Sequence, residues 1–334
     1  MQNPVLVEIT RGQLVESVHR GAVALCDESG APVLALGDIE QRVFPRSAIK
    51  LIQAVPLIET GAADRFGFGD AEIALACGSH VGSDRHIAVA RSMVERLGLT
   101  GACLACGAAM PMGAKPARRL AASGQPPTPF HHQCSGKHAG MLAAALALDA
   151  PYEAHAYVGA DHPVQRQVRA ALENLSGCTI DEAVCAIDGC AVPTWALPLS
   201  GLARLFAVVA KSPDQDGVLA RILRACWAEP ELVAGSGRAE TVVMTALPGR
   251  VYLKSGAEGV YCGALPELGL GFALKIDDGA QRACAAAVMP LVEQLLPAAR
   301  GLVHRSIIRA TNGTEAGTIR TSRNYQRALD GLGV

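Results

Sequence analysis

The run Phe44-Pro45-Arg46-Ser47-Ala48-Ile49-Lys50-Leu51-Ile52-Gln53 places a serine three residues ahead of a lysine. Apolar residues at Ile49, Ile52, Val55, Leu57 and Ile58 give the segment after Arg46 a helical period. On such a helix the Ser47 hydroxyl and the Lys50 amine share one face, a single turn apart. A neutral amine held there can take the serine proton and turn a weak nucleophile into a competent one. The tetrapeptide alone describes equally well a capping serine beside a solvated lysine, so the rest of the chain decides.

What lies to either side predicts a sheet. Val5 to Thr10 alternates, Leu14 to Asp27 is rich in Val and Leu, and Pro32 to Gly37 follows the turn-like Glu28-Ser29-Gly30. Val251 to Lys254, Gly259 to Ala264 and Gly269 to Ile276 form a second set of short apolar strands. Between the two sets the pattern is helical. Ser83-Asp84 caps a helix that runs to about Leu97 and ends at Gly98, and Asp161-His162-Pro163 opens another. Further helices are expected over Gly201 to Lys211, Gly217 to Trp227 and Ala280 to Leu296. The expected fold is α+β: one antiparallel sheet of N- and C-terminal strands, with helices packed on it and a central helical insertion. We expect a single catalytic domain over 1–334, with 1–60 and 250–334 containing the sheet and 61–249 mostly helical. The polar tail from about Leu302 extends the sheet, packs on a partner subunit or is mobile.

Composition narrows the class. The chain has 334 residues, half of them apolar, and a net charge of −1. That balance, with only 4% aromatic residues and no basic stripe, argues against nucleic acid or an anionic membrane as partner. No basic n-region opens the chain, and no apolar run approaches the roughly 18 residues of a membrane span. These features predict a soluble, cytoplasmic protein. Its eleven cysteines are then expected to be reduced, with Cys226 and Cys284 as small core residues. Cys103-Leu104-Ala105-Cys106 has the C-x-x-C spacing but no second pair at finger spacing, which favours burial without chemistry.

Three further clusters carry polar chemistry. Cys77-Gly78-Ser79-His80 follows the apolar run Ala71 to Ala76, where an element ends. Lys254-Ser255-Gly256 closes a predicted strand; paired with Ser-x-x-Lys it matches the order of serine acyl-transfer enzymes of the penicillin-binding type. There lysine and hydroxyl hold a substrate carboxylate, and glycine lets the backbone approach. In His131-His132-Gln133-Cys134-Ser135-Gly136-Lys137-His138-Ala139-Gly140, joined by Ile187-Asp188-Gly189-Cys190, the thiols of Cys134 and Cys190 and the His138 imidazole suit zinc. On chemistry alone a metal site and a glycine-hinged loop with a buried thiol remain equal readings.

Arg46-Ser47-Ala48-Ile49-Lys50, Cys134-Ser135-Gly136-Lys137-His138-Ala139-Gly140-Met141, Asp161-His162-Pro163-Val164-Gln165, Asp188-Gly189-Cys190-Ala191-Val192-Pro193-Thr194 and Leu274-Lys275-Ile276-Asp277-Asp278-Gly279 together resemble the rhizobial-type (class 3) L-asparaginases. The resemblance implies a fold similar to serine β-lactamases, penicillin-binding proteins and serine-type glutaminases, in a homodimer. It implies Ser47 as nucleophile, Lys50 as base, and Ser79 with Lys254 as a second serine-lysine pair. Cys134, Lys137 and Cys190 resemble a zinc site completed by water. Arg46, His138, Asp188, Ser255 and Gly256 are expected to face a small amino-acid substrate. Two positions depart from the family pattern: His132-Gln133 stands where two asparagines are expected, and Ala191 where glycine is common.

The expected activity is hydrolysis of L-asparagine to L-aspartate and ammonia through an acyl-enzyme, with backbone N–H groups near Ser47 as oxyanion donors. Its rivals are a glutaminase or β-lactamase-like hydrolase, and a non-catalytic amino-acid or zinc binder on the same scaffold. One methylene separates asparagine from glutamine only weakly.

Overall fold

A computed structural model describes residues 2–148, 153, 155–181, 184–214, 216–304 and 307–332. Its strands are β1 (Val5–Arg11), β2 (Leu14–Cys26), β3 (Pro32–Leu36), β4 (Arg42–Val43), β5 (Cys185–Ile187), β6 (Pro193–Trp195), β7 (Leu197–Pro198), β8 (Tyr252–Ser255), β9 (Val260–Leu265), β10 (Leu270–Ile276), β11 (Ile307–Arg309) and β12 (Glu315–Thr321). The chain divides into two compact units. One comprises Met1–Ala48, Leu197–Lys211 and Leu253–Val334; the other comprises Ile49–Ala196 and Ser212–Tyr252.

The first unit is built on the antiparallel sheet β11-β12-β1-β2-β10-β9-β8, with β3 added beside β2. Strand β2 is long enough to serve two partners: Leu14 to Arg20 pairs with β1, and Gly21 to Cys26 pairs with β10. N- and C-terminal strands thus share one sheet, as their patterning predicts. The tail after Leu302 extends it, with β12 pairing to β1 from Val7↔Thr321 to Ile9↔Ile319. Every residue of β9 is buried, which requires cover on both faces of the central strands. Helices Leu199–Lys211 and Gln281–Leu295 pack on these strands. Helix and sheet approach closely because position 271 is glycine: a Cβ there would lie 2.0 Å from the Ala207 backbone nitrogen.

The second unit is mostly helical. At its centre runs Ser135–Ala147, buried from Ser135 through Ala145. A helix buried over most of its length belongs in a core, and its run of Gly and Ala lets neighbours pack close. Those neighbours include Asp70–Ala76, Asp84–Arg96 and Pro163–Ser176. Two of the predicted caps are present. The Ser83 and His86 side chains meet at the start of Asp84–Arg96, and His162 Nδ1 accepts from the Val164 N–H at 3.2 Å. Strands β5 and β6 form a small hairpin around the turn Asp188-Gly189-Cys190-Ala191. All eleven cysteines are free thiols, and Cys226 and Cys284 are buried. Among the described residues, no helix is long and apolar enough to cross a membrane.

Candidate active site

The segment holding Ser47 is not one regular α-helix. Arg46–Ile49 is a 3₁₀ turn that leads directly into the α-helix Lys50–Gln53. A 3₁₀ turn has three residues per turn, so positions i and i+3 eclipse along it. Arg46, immediately before the serine, has φ of +50°, a left-handed conformation costly for a residue with a Cβ. Such strain clusters where a side chain must be presented at a fixed angle.

In the first unit the Lys254-Ser255-Gly256 strand end lies against this turn. A Cβ on Gly256 would fall 2.6 Å from the Pro45 carbonyl oxygen and 3.2 Å from the Ala48 nitrogen. Gly256 is therefore required by the approach of one backbone to another. Its own N–H donates to Val260 O at 2.8 Å, and its carbonyl accepts from Gln281 Nε2 at 2.7 Å. Lys254 is buried, with Nζ donating to Ser255 O at 2.8 Å. Ser47 and Ser255 are half-buried. The Ala48 N–H donates to Pro45 O at 3.0 Å.

The second unit gathers the remaining predicted residues. Lys50 is fully buried, and its Nζ donates to the Gly78 carbonyl, to Gln133 O at 3.5 Å and to Cys134 Sγ at 3.2 Å. Ser79 lies in the loop beginning at Gly78; its N–H donates to Val233 O at 2.8 Å, and the next N–H, of His80, donates to Gln133 O at 3.2 Å. Lys137 Nζ donates to Cys190 Sγ at 2.8 Å. Hydrogen bonding from Cys190 holds the Cys134 thiol well below its usual range despite burial, with Lys50 and Lys137 adding to the effect. Cys190 moves the other way, raised by the same pairing and by burial. Burial disfavours the Lys137 cation, but the charges of Cys190 and Cys134 outweigh it and its pKa is raised. Asp188 is half-buried in the turn before Cys190, and its N–H donates to Val192 O at 2.9 Å.

Four groups that the motifs did not assign complete this region. Buried His80 pairs through Nε2 with Ser135 Oγ at 2.8 Å and accepts the Gly82 N–H on Nδ1, tying the Ser79 loop to the central helix. Burial drives the His80 pKa well down. Tyr157 Oη meets His138 Nδ1 at 2.7 Å and accepts the Ala105 N–H at 2.8 Å. Burial lowers His138 to about 4. Cys106, pushed up to about 12 by burial with help from Cys134 and Cys190, brings half of the C-x-x-C pair near these thiols. His132 is 6% exposed, and its Nδ1 accepts the Cys134 N–H at 3.0 Å. His80 and Cys106 lay in motifs the sequence singled out and His132 marked a departure from an expected asparagine, whereas Tyr157 depends on contacts distant along the chain.

The donors Cys134, Lys137 and Cys190 are of the soft thiolate and nitrogen kind that zinc takes. His138 Nε2, fully buried without a hydrogen-bond partner, leaves an unsatisfied polar atom at the next residue. Among the described residues, no three His, Cys, Asp or Glu side chains converge closely enough to hold a metal ion. A metal held here would take Lys137 as its third donor, and that lysine would have to give up a proton on binding. A separate cavity of about 500 Å³ in the first unit, lined in part by Met289, Glu293, Arg300 and Arg320, contains none of the predicted residues.

The antiparallel sheet and the helices packed on it define an α+β fold. Residues 7–321 match the family model of L-asparaginase II, and the chain belongs to that family. No curated protein matches the chain. Among solved structures it is similar to a β-lactamase (Mb2281c) from Mycobacterium bovis, with 12% identity, TM-score 0.36, and coverage of 78% of this chain and 88% of that one. A candidate β-lactamase from Bacteroides dorei gives 12% identity and TM-score 0.38 over 77% of this chain and 84% of that one.

Proposed function

We propose that the chain hydrolyses L-asparagine to L-aspartate and ammonia through a Ser47 acyl-enzyme. Family membership over residues 7–321 supports the amide-hydrolysing activity. The observation that carries the serine-lysine reading is the 3₁₀ turn Arg46–Ile49 that presents Ser47 and leads directly into the helix starting at Lys50, with Gly256 against that turn.

In this reading Ser47 Oγ attacks the side-chain amide carbon as Lys50 takes its proton. The Ser47 N–H stabilises the oxyanion. The Lys50 ammonium, or the Ser79-Lys254 pair, then protonates the departing ammonia, and water resolves the ester. Ser79 and Lys254 act as the second serine-lysine pair. Arg46, His138, Asp188, Ser255 and Gly256 bind the substrate. Cys134, Lys137 and Cys190 would hold zinc, which when bound supplies positive charge for anchoring or polarising a substrate oxygen. The same reading has the protein act in the cytoplasm as a homodimer.

The test is ammonia release from asparagine and glutamine side by side, with a chromogenic β-lactam as third substrate, on metal-stripped and zinc-reconstituted protein. Ser47→Ala is expected to abolish turnover with an unchanged unfolding transition. Near-normal asparagine hydrolysis by that variant rejects the serine mechanism, and tight asparagine binding without ammonia release favours the non-catalytic reading.

A further inference from the structure

His132 is committed on one side and open on the other. Its Nδ1 accepts the Cys134 N–H at 3.0 Å, which leaves the ring proton on Nε2. Among the described residues, no protein group accepts from that nitrogen. It is also absent from the fully buried atoms that lack a partner, so the small exposed edge of the ring includes Nε2. Its charged neighbours within electrostatic reach are Cys190, Lys50, Lys137 and Asp188. The two lysines are turned onto protein acceptors, Lys50 onto Gly78 O, Gln133 O and Cys134 Sγ, and Lys137 onto Cys190 Sγ. The Nε2–H of this neutral ring is thus an uncommitted donor in a region where both lysines are already bonded.

We propose that His132 is a substrate-positioning residue whose Nε2–H donates to the α-carboxylate of the amino-acid substrate. This rests on the amidohydrolase reading above and extends it to a residue that replaces the asparagine expected from the family pattern. The α-carboxylate suits the role because it does not react, so one fixed donor can hold it throughout turnover. A hydrogen bond to a carboxylate is among the stronger kinds. Because the contact is the same in ground and transition states, its loss weakens binding without slowing chemistry.

The substitutions separate the outward donor from the inward acceptor. His132→Asn keeps both, since an asparagine side chain can accept the N–H two residues on while its NH₂ points outward. His132→Ser keeps the acceptor but is too short to present a donor. Kinetics with L-asparagine are expected to show KM raised about ten- to hundredfold in His132→Ser, with kcat within about threefold. KM in His132→Asn is expected to stay within about threefold of the starting protein. Equal losses in the two variants, or an unchanged KM in His132→Ser, overturn the proposal; so does a fall in kcat at constant KM, which places the contact on the reacting carbonyl. Should His132→Ser not fold, His132→Asp decides. It keeps the acceptor for Cys134 and must raise KM relative to His132→Asn by repelling the carboxylate; equal KM values overturn the proposal. If the unaltered protein releases no ammonia, the amidohydrolase reading fails separately, and calorimetric binding of L-asparagine reads the same contact. Weaker binding in His132→Ser alone upholds it, while equal binding or none overturns it.

Discussion

Lys50 Nζ and Cys134 Sγ lie 3.2 Å apart in the interior of the second unit. The amine of the Ser-x-x-Lys motif and the first thiol of the CSGKH motif are direct neighbours, although 84 residues separate them. Replacing the amine therefore disturbs both motifs. Lys50→Met strands the Gly78 carbonyl and is expected to cost about 1–3 kcal/mol of stability along with all measurable ammonia release. Lys50→Arg is not expected to restore turnover, because a planar guanidinium stays charged and cannot reproduce the three contacts of a compact amine. Denaturant titration and an ammonia assay on both variants check this.

Gly256 sits where a methyl group has no room. Its Cβ would press on the Pro45 carbonyl, a backbone atom that cannot swing aside. Gly256→Ala is expected to destabilise the protein by about 1–3 kcal/mol and to cut kcat/KM at least tenfold by shifting the Ser47 turn. A stability loss without a change in kcat/KM would show that the turn absorbs the methyl without moving the serine.

Ala191 occupies φ of +73° directly after Cys190, in the turn whose Ala191 N–H donates to Asp188 O at 2.8 Å. The conformation suits glycine, which explains why an alanine here departs from the family pattern. Ala191→Gly removes the Cβ strain but adds freedom to the unfolded chain. The net expectation is a gain of about 0.5 kcal/mol, and Ala191→Val is expected to lose more than 1 kcal/mol. Urea midpoints of the two variants rank the effect.

His138 takes its proton near pH 6.5 in the unfolded chain but only at about 4 when folded, because burial opposes the charge. Between those values the unfolded chain binds a proton that the folded chain refuses, so acid favours unfolding. The contribution is intact above about pH 6.5 and falls away as pH drops towards 4, amounting to about 3 kcal/mol at the low end. In metal-free buffer, His138→Gln is expected to flatten the decline of the urea midpoint between pH 7 and pH 4.5. An identical slope in both proteins would assign the acid sensitivity to other buried histidines such as His80 and His86.

The sheet was the most legible part of the sequence. Short apolar runs bounded by Gly, Pro and Ser placed β1, β2, β3, β8, β9 and β10 within a residue or two, because strand periodicity and turn chemistry are local. The caps at Ser83 and His162 were legible for the same reason. Register was not, since nothing local says that Gly271 faces Cys26 or that the helix Leu199–Lys211 is the one that backs the sheet. Around Ser47 the sequence carried a helical period but not the switch from 3₁₀ to α, which turns on the strained Arg46. Of the site, the motif residues were visible as types in order. Their environment was not: the hydrogen bond of Lys50 to Cys134, the Tyr157–His138 contact and the open edge of His132 arise only when distant segments meet.

The sheet also sets an order of assembly. The second half of β2 needs β10 as its partner, and β1 needs β12, yet both partners come from the far end of the chain. During synthesis the first two strands emerge early, and their hydrogen-bonding edges wait until nearly the whole protein has been made. Such distant pairing slows folding and leaves strand edges open to wrong partners. A chain halted before β10 would thus present β2 with an open edge, making premature termination a route to aggregation rather than to a smaller folded fragment.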